Sequence, residues 1–309
     1  MGTSYQITAA LPRLFPKVLV QYLIDRRLQD LTDQMSTYDV SSEISRFNEG
    51  LAGVYPLSPD FYHVLRLSLG VYDATKGAWD PTMYPLILLW HNWIHGKHPA
   101  FPSEIEIIQR MNLIGFNQID VLPNFTLNKK NNSVSLDLSA IAKGYGVDQL
   151  SYLLDKLMSN HYLVEVGGEV RVKGTNPYGN QWQIGIEYPH SKPYQRLYAT
   201  VKLTTGMAMA SSGHYRNFKI KDGIRYSHII NPKTGYPVNH NTVGVTVVAS
   251  SCAIADALAT ALLVLSFDEG KAVLKKYPDA SALYFLQDEL GNIQTAFTNG
   301  FPNPIILNP

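Results

Sequence analysis

The sequence predicts an α+β protein, and three observations carry that reading. Helical and strand patterns are mixed without the strict alternation of a doubly wound sheet. Residues 251–265, rich in Ala and Leu and free of Gly and Pro, read as a buried helix. Beyond about residue 160 most runs are short, β-branched or aromatic and bounded by turn residues. With 309 residues and no clear linker, short repeat or low-complexity tract, residues 1–309 are expected to form one domain, or two intimate subdomains sharing one site.

The elements follow in order. Met1-Gly-Thr-Ser-Tyr-Gln-Ile reads as a strand already under way, with no signal-peptide pattern in the chain as given. Residues 15–35 place Val18, Leu19, Tyr22, Leu23, Leu28, Leu31 and Met35 at helical spacing. Residues 36–48 read as polar and turn-rich. Ser58-Pro59 opens a helix reaching about Thr75, with Ser58 as cap. Residues 77–86 read as a loop held by Pro81 and Pro85. His91, His95 and His98 follow in an aromatic stretch, and surface or packing roles are favoured over metal binding. A hairpin is expected from 119–122 through a polar tip at Lys129-Lys130 to a strand over 134–138. A helix over about 140–158, capped by Ser139, then presents Val147, Leu150, Leu153, Leu154 and Leu157 to the core. Strands are expected at 162–172, 182–186, 197–203, 207–211, 226–230 and 243–249. After the Ala/Leu helix come a short helix at 270–277 and a closing hairpin of 281–286 with 293–297.

Composition narrows the function. A formal net charge of +1 with scattered basic residues argues against a nucleic-acid footprint. The single cysteine, Cys252, permits no intrachain disulfide and no cysteine-built metal site, and reads as a core residue. No apolar run reaches membrane-spanning length.

Several stretches carry chemistry. Asp256 and Thr260 lie one helical turn apart on an apolar helix. A lone carboxylate there needs compensation, either by a buried cation or backbone amides, or by a hard metal ion such as Mg²⁺. Asp137-Leu-Ser-Ala-Ile-Ala-Lys143-Gly enters a helix, and Lys143 stands where the helix dipole disfavours a cation. An anionic ligand explains it, and a surface lysine on a plain connection explains it equally well. Val166-Gly-Gly-Glu169 interrupts a strand, as a bulge or as backbone passing close to a ligand. His228 precedes the Pro232 and Gly235 turn, either as a packed histidine or as a proton carrier. Ser211 has no recognisable triad partners in the sequence.

Together these stretches resemble the ApbE family, the FAD:protein FMN transferases. The matching segments are Met1-Gly-Thr, Ser36-Thr-Tyr through Asn48, Gly77-Ala-Trp-Asp-Pro-Thr82, and Asp137 through Gly144. They continue with Val166-Gly-Gly-Glu169, Ala210-Ser-Ser-Gly213, Ser227-His-Ile-Ile-Asn-Pro232 with Thr234-Gly235, and Ala255 through Thr260. The resemblance implies a T-fold-like α+β architecture, with mixed and antiparallel sheet packed against helices. It implies binding of FAD with Mg²⁺, cleavage of the pyrophosphate, attachment of FMN to a carrier Thr or Ser through a phosphoester, and release of AMP. Carriers of the family are membrane subunits of Nqr-type and Rnf-type complexes.

Residue by residue, the resemblance puts the metal ligands on Asp256, Thr260 and the main-chain oxygen of Ala140. It puts flavin contacts on Met1, Tyr38, Ala78, Trp79 and Asp80, further FAD contacts on Asp137, Lys143 and Ile230, and the catalytic histidine on His228. Lys143 is also a candidate for stabilising charge at the phosphorus. Trp79 stands where the family often has Phe, and Asn231 where it often has Asp, which puts an acid role at 231 in doubt. Family members are commonly exported and lipid-anchored, so a periplasmic location at the outer face of the inner membrane is expected by resemblance. Two rivals share these residues: an FAD pyrophosphatase in which water replaces the hydroxyl, and a flavin-binding protein without turnover.

Overall fold

The computed structural model describes residues 2–96, 100–189, 196–215 and 217–307. The chain begins with strand β1 (Tyr5–Ala10) and helix α1 (Lys17–Met35). α1 buries Val20, Ile24, Leu31 and Met35, while Val18, Leu19 and Tyr22 face outward. Two apolar stripes therefore compete on this helix, and the expected one is partly the outer one. The stretch read as polar turns contains helix α2 (Glu43–Glu49), where Ser42 accepts the Ser45 amide as N-cap and Ile44 and Phe47 are buried. Strand β2 (Gly53–Pro56) and helix α3 (Pro59–Thr75) follow. Pro59 occupies the first turn of α3, but the Ser58 hydroxyl donates to Gln34 at 2.6 Å and does not cap.

Helix α4 (Tyr84–His95) begins inside the expected loop, because Pro85 falls in its first turn, where no amide is needed. Helix α5 (Glu104–Met111) starts on a Ser103/Glu106 capping box. After a 3₁₀ turn (Phe116–Gln118) come strands β3 (Ile119–Leu122) and β4 (Thr126–Lys129). The hairpin tip is thus at 123–125, where Asn124 and Phe125 take positive φ, and not at Lys129-Lys130. Lys129 is 1% exposed. Its ammonium donates to the carbonyls of Phe47, Asn48 and Gly50, closing the C-terminal end of α2. Burial pushes its pKa down to about 8. Residues 134–138 form no strand. Val134, Leu136 and Leu138 alternate inward as a strand would, yet the Asn48 side chain takes the place of a ladder partner. It accepts the Leu136 amide at 2.7 Å and donates to the Leu136 carbonyl at 2.9 Å.

Helix α6 (Ser139–Lys156) has Leu138 as N-cap, and the Ser139 hydroxyl bonds Asp137 instead of capping. Strands β5 (His161–Val166) and β6 (Glu169–Lys173) make a tight hairpin. The glycine pair is its two-residue turn and not a bulge, with Gly167 at φ 64° and Gly168 at φ 104°. Then come β7 (Trp182–Glu187), β8 (Leu197–Leu203), β9 (Ala208–Gly213), β10 (Phe218–Lys221), β11 (Ile224–Ser227) and β12 (Thr242–Ala249). Helices α7 (Cys252–Val264) and α8 (Phe267–Leu274) precede β13 (Ser281–Gln287), β14 (Ile293–Phe297) and β15 (Ile305–Ile306).

One seven-stranded sheet runs β1-β5-β6-β9-β12-β13-β14. Every ladder among the described residues is antiparallel. Its strand β12 is buried at every position. Val245 and Val247 face α7, while Val243 and Val248 face the three-stranded sheet β15-β8-β7 on the other side. The small sheet β2-β4-β3 packs its Ile119 and Leu127 with Phe47, Phe61 and Leu65 of the helices. The β10-β11 hairpin lies against the aromatic α4, with Trp90 stacked on Tyr226. No helix among the described residues is long and apolar enough to cross a membrane.

Helices α6 and α7 meet at backbone distance. A Cβ on Gly144 would stand 2.3 Å from the Cys252 carbonyl oxygen, so only glycine fits there. Asp148 on α6 accepts the α7 amides of Cys252 and Ala253, each at 3.0 Å, and the Ser251 hydroxyl at 2.9 Å. Arg171 of β6 pairs with the same carboxylate. An anion at a helix N-terminus meets free amides and the positive dipole end.

His214, just past β9, is 7% exposed, and among the described residues neither ring nitrogen has a hydrogen-bond partner. Burial pushes its pKa down to about 4. Its folded pKa is below the unfolded one, so stability is present above about pH 6.5 and is lost as pH falls towards 4. Acidification from pH 7.5 to pH 5 is expected to cost about 2 kcal/mol through this residue. Urea unfolding at both pH values checks it: His214→Phe should flatten the dependence, and an unchanged slope would refute the assignment.

Candidate active site

A cleft of about 590 Å³ opens where α4, α6, α7, the β5–β6 turn and the end of β9 converge. Pockets of this order suit a nucleotide-sized ligand. Its lining includes Tyr38, Ala78, Trp79, Asp80, Asp137, Ala140, Lys143, His228, Ile230, Asp256 and Thr260. The fold thus gathers candidate residues that lie far apart in the sequence. Met1 lies outside the described residues.

The floor is built by α6 and α7. Asp256 is 3% exposed. Its Oδ2 accepts the Gly144 amide at 3.0 Å, and its Oδ1 has only a 3.4 Å contact with the Lys143 Nζ. The Lys143 ammonium sits closer to Glu169 Oε1, at 2.8 Å. Burial works against the ammonium, but the charges of Asp256 and Glu169 prevail and hold its pKa above the ordinary lysine value. Burial raises the pKa of Glu169, and the Asp256 charge adds to it. Glu169 Oε2 is buried and has no hydrogen-bond partner among the described residues. The short Gly167-Gly168 turn brings this acid to the cleft, and a Cβ on Gly167 would stand 3.3 Å from Lys143 Cδ and 2.9 Å from Thr3 Cγ2.

Thr260 shares a 2.9 Å hydroxyl contact with Ser212 of β9. Ala140 has non-helical φ −88° and ψ 16°, a kink in the first turn of α6. Regular helix geometry would aim the Gly144 amide at the Ala140 carbonyl, but that amide donates to Asp256. Ala140, Asp256 and Thr260 all line the cleft and offer a carbonyl, a carboxylate and a hydroxyl, oxygen donors of the hard kind that Mg²⁺ prefers. Among the described residues no group of three or more His, Cys, Asp or Glu is placed to hold a metal. A set with one carboxylate, one hydroxyl and one carbonyl is of a different composition. The bland compensation for Asp256, amide plus ammonium, is present: the Gly144 amide meets Oδ2 and the Lys143 ammonium lies 3.4 Å from Oδ1.

The walls differ in character. Tyr38 is 89% exposed, whereas Trp79 is 4% exposed and belongs to the core packed around Phe61 and Leu65. Tyr38 is thus the open aromatic surface, and Trp79 borders the cleft from within the core. Asp80 accepts the Thr82 amide and hydroxyl, and Asp137 accepts those of Ser139. Burial raises the pKa of both. His228 follows β11, its Nδ1 3.2 Å from the Asn217 carbonyl. The crowded cleft lowers its pKa, with His95 acting in the same direction. Neutral imidazole is then the resting form, which suits a base. His91 and His95 pack ring against ring at 4.6 Å and line the same cleft, so these two histidines are nearer the site than the sequence suggested. Ser211 bonds Thr246 at 2.8 Å. Asn231 Oδ1 accepts the Lys233 amide as turn chemistry.

Sequence reasoning did not single out Asp148, and it saw Glu169 only as part of a glycine motif. Their partners lie far off in the sequence, so only the fold reveals them.

The model of the ApbE family matches residues 1–285. A FAD:protein FMN transferase of Vibrio cholerae is 39% identical over 275 residues, 88% of this chain and 81% of that one. Its counterpart in Haemophilus influenzae is 39% identical over 258 residues, 82% and 74% of the two chains. The solved structure of the flavin transferase ApbE from Vibrio cholerae superposes with a TM-score of 0.87 at 35% identity, covering 97% of this chain and 95% of that one.

Proposed function

The chain belongs to the ApbE family, and from that premise we propose that it is a Mg²⁺-dependent transferase moving FMN from FAD to a Thr or Ser of a carrier protein. The observation that supports this most is the convergence of Lys143, Asp256, Thr260 and His228 on one cleft with an open aromatic, Tyr38, at its rim.

In this reading Tyr38 offers a face for the flavin ring, with Ala78, Asp80 and Ile230 along the same wall. Asp137 and Lys143 contact the nucleotide, the ammonium lying against pyrophosphate charge. The Ala140 carbonyl, Asp256 and Thr260 would hold Mg²⁺, which when bound neutralises the pyrophosphate and the charge developing at phosphorus. His228 takes the proton of the acceptor hydroxyl. The hydroxyl oxygen forms a bond to the FMN-side phosphorus, the phosphoanhydride bond breaks, and AMP leaves with the bridging oxygen. The product is a phosphoester. Nqr-type or Rnf-type subunits are the carrier class proposed from the family resemblance, and the outer face of the inner membrane is the proposed location.

Three outcomes test the proposal. A carrier domain incubated with this protein, FAD and Mg²⁺ should gain the mass of one FMN with matching AMP, and nothing with EDTA. AMP without a mass gain would favour the pyrophosphatase. Asp256→Ala should lower Mg²⁺-dependent turnover by about a hundredfold, much more than it lowers folding stability through the lost Gly144 amide contact; wild-type turnover at saturating FAD would remove Asp256 from the metal site. His228→Ala should still bind FAD and lose about 10²- to 10⁴-fold in transfer rate. In the wild type the rate should fall on acidification with a midpoint below 6.5, the ordinary histidine value, and that limb should be missing in the variant.

A further inference from the structure

Lys143 raises a difficulty for a cation at Asp256. An ammonium and a divalent ion repel each other, and in a buried setting the repulsion is weakly screened. If Lys143 closed fully on Asp256 Oδ1, it would occupy the lone pairs and the place that a cation needs. The geometry avoids this. Nζ lies 2.8 Å from Glu169 Oε1 and 3.4 Å from Asp256 Oδ1. The other Asp256 oxygen is turned to the Gly144 amide at 3.0 Å, so Oδ1 is the one left towards the cleft.

Glu169 is well placed to draw the ammonium aside. It is the first residue of β6, fixed by the two-residue turn from β5. It is 4% exposed. Among the described residues its second oxygen has no partner, so Lys143 is the side chain to which it is committed. A buried acid present only for stability would be expected to have both oxygens satisfied.

We propose that Glu169 is a positioning residue that holds the Lys143 ammonium off Asp256 and thereby keeps Asp256 open to a divalent cation. This rests on the reading that Asp256 carries the cation. Glu169 acts through Lys143, so its effect should disappear when the ammonium is removed.

The test is Mn²⁺ binding to the full chain, followed by electron paramagnetic resonance with the metal alone. The variants are E169Q, K143M, E169Q with K143M, and D256N, and each is melted to confirm folding. E169Q is expected to weaken Mn²⁺ binding about tenfold, because the ammonium settles on Asp256. The double variant is expected to return to within about threefold of K143M alone. E169D, with a carboxylate one methylene shorter, is expected to fall between wild type and E169Q and serves if E169Q does not fold. Unchanged binding in E169Q, or a double variant as far below K143M as E169Q is below wild type, would overturn the proposal. Wild-type binding in D256N would instead overturn the cation assignment at Asp256, a distinguishable result.

Discussion

Two carboxylates exchanged between neighbouring helices organise this molecule. Asp148 leaves α6 to receive the first amides of α7, and Asp256 leaves α7 to receive the Gly144 amide of α6. Each helix therefore completes the hydrogen bonding of the other. The exchange demands close approach, which is why a glycine stands at 144. Ala140, four residues before Gly144, has non-helical φ and ψ, and the amide taken by Asp256 is the one that regular helix geometry would aim at its carbonyl. The cleft floor is a product of the same contact. Asp256, Thr260, Ala140 and Lys143 are held by two helices packed on the central sheet, and their relative positions are set before any ligand arrives.

The electrostatics of that floor are unusual in their balance. One half-buried ammonium faces two buried acidic side chains. Such a cluster is not an efficient way to stabilise a fold, because desolvation offsets much of the attraction. Its mixed charge suits a cleft that receives a ligand carrying charge of its own. The rim is different. Tyr38 and His228 come from short irregular segments, which carry contacts that must adapt to a partner.

Much of this was legible in the sequence, for reasons that can be named. The Ala/Leu run of α7, the strand-rich second half and the closing hairpin follow from periodicity and breakers. The cleft residues were legible because each sits in a short motif whose chemistry is peculiar: a carboxylate on an apolar helix, a lysine at a helix start, a histidine before a turn. What was hidden depends on partners far off in the chain. Lys129 looked solvated because lysines usually are, yet three carbonyls around the end of α2 bury it. The alternation of 134–138 was real, but its partner was the Asn48 side chain and not a strand. The polar segment 42–49 forms α2 because Ser42 caps it and Ile44 and Phe47 find the core. The glycine pair before Glu169 could be read as bulge or turn, and only the β5–β6 register decides.

The carboxylate exchange also has a consequence for the order of synthesis. The Gly144 amide waits for a partner 112 positions later, and Asp148 for partners 104 and 105 positions later. Until α7 leaves the ribosome, Asp148 lacks its helix amides and α6 carries a glycine-notched face with nothing to fill it. Contacts of such long sequence separation form late and slowly. The nascent chain therefore passes through a long interval in which the floor of its cleft is an open seam, a state that leaves apolar surface uncovered.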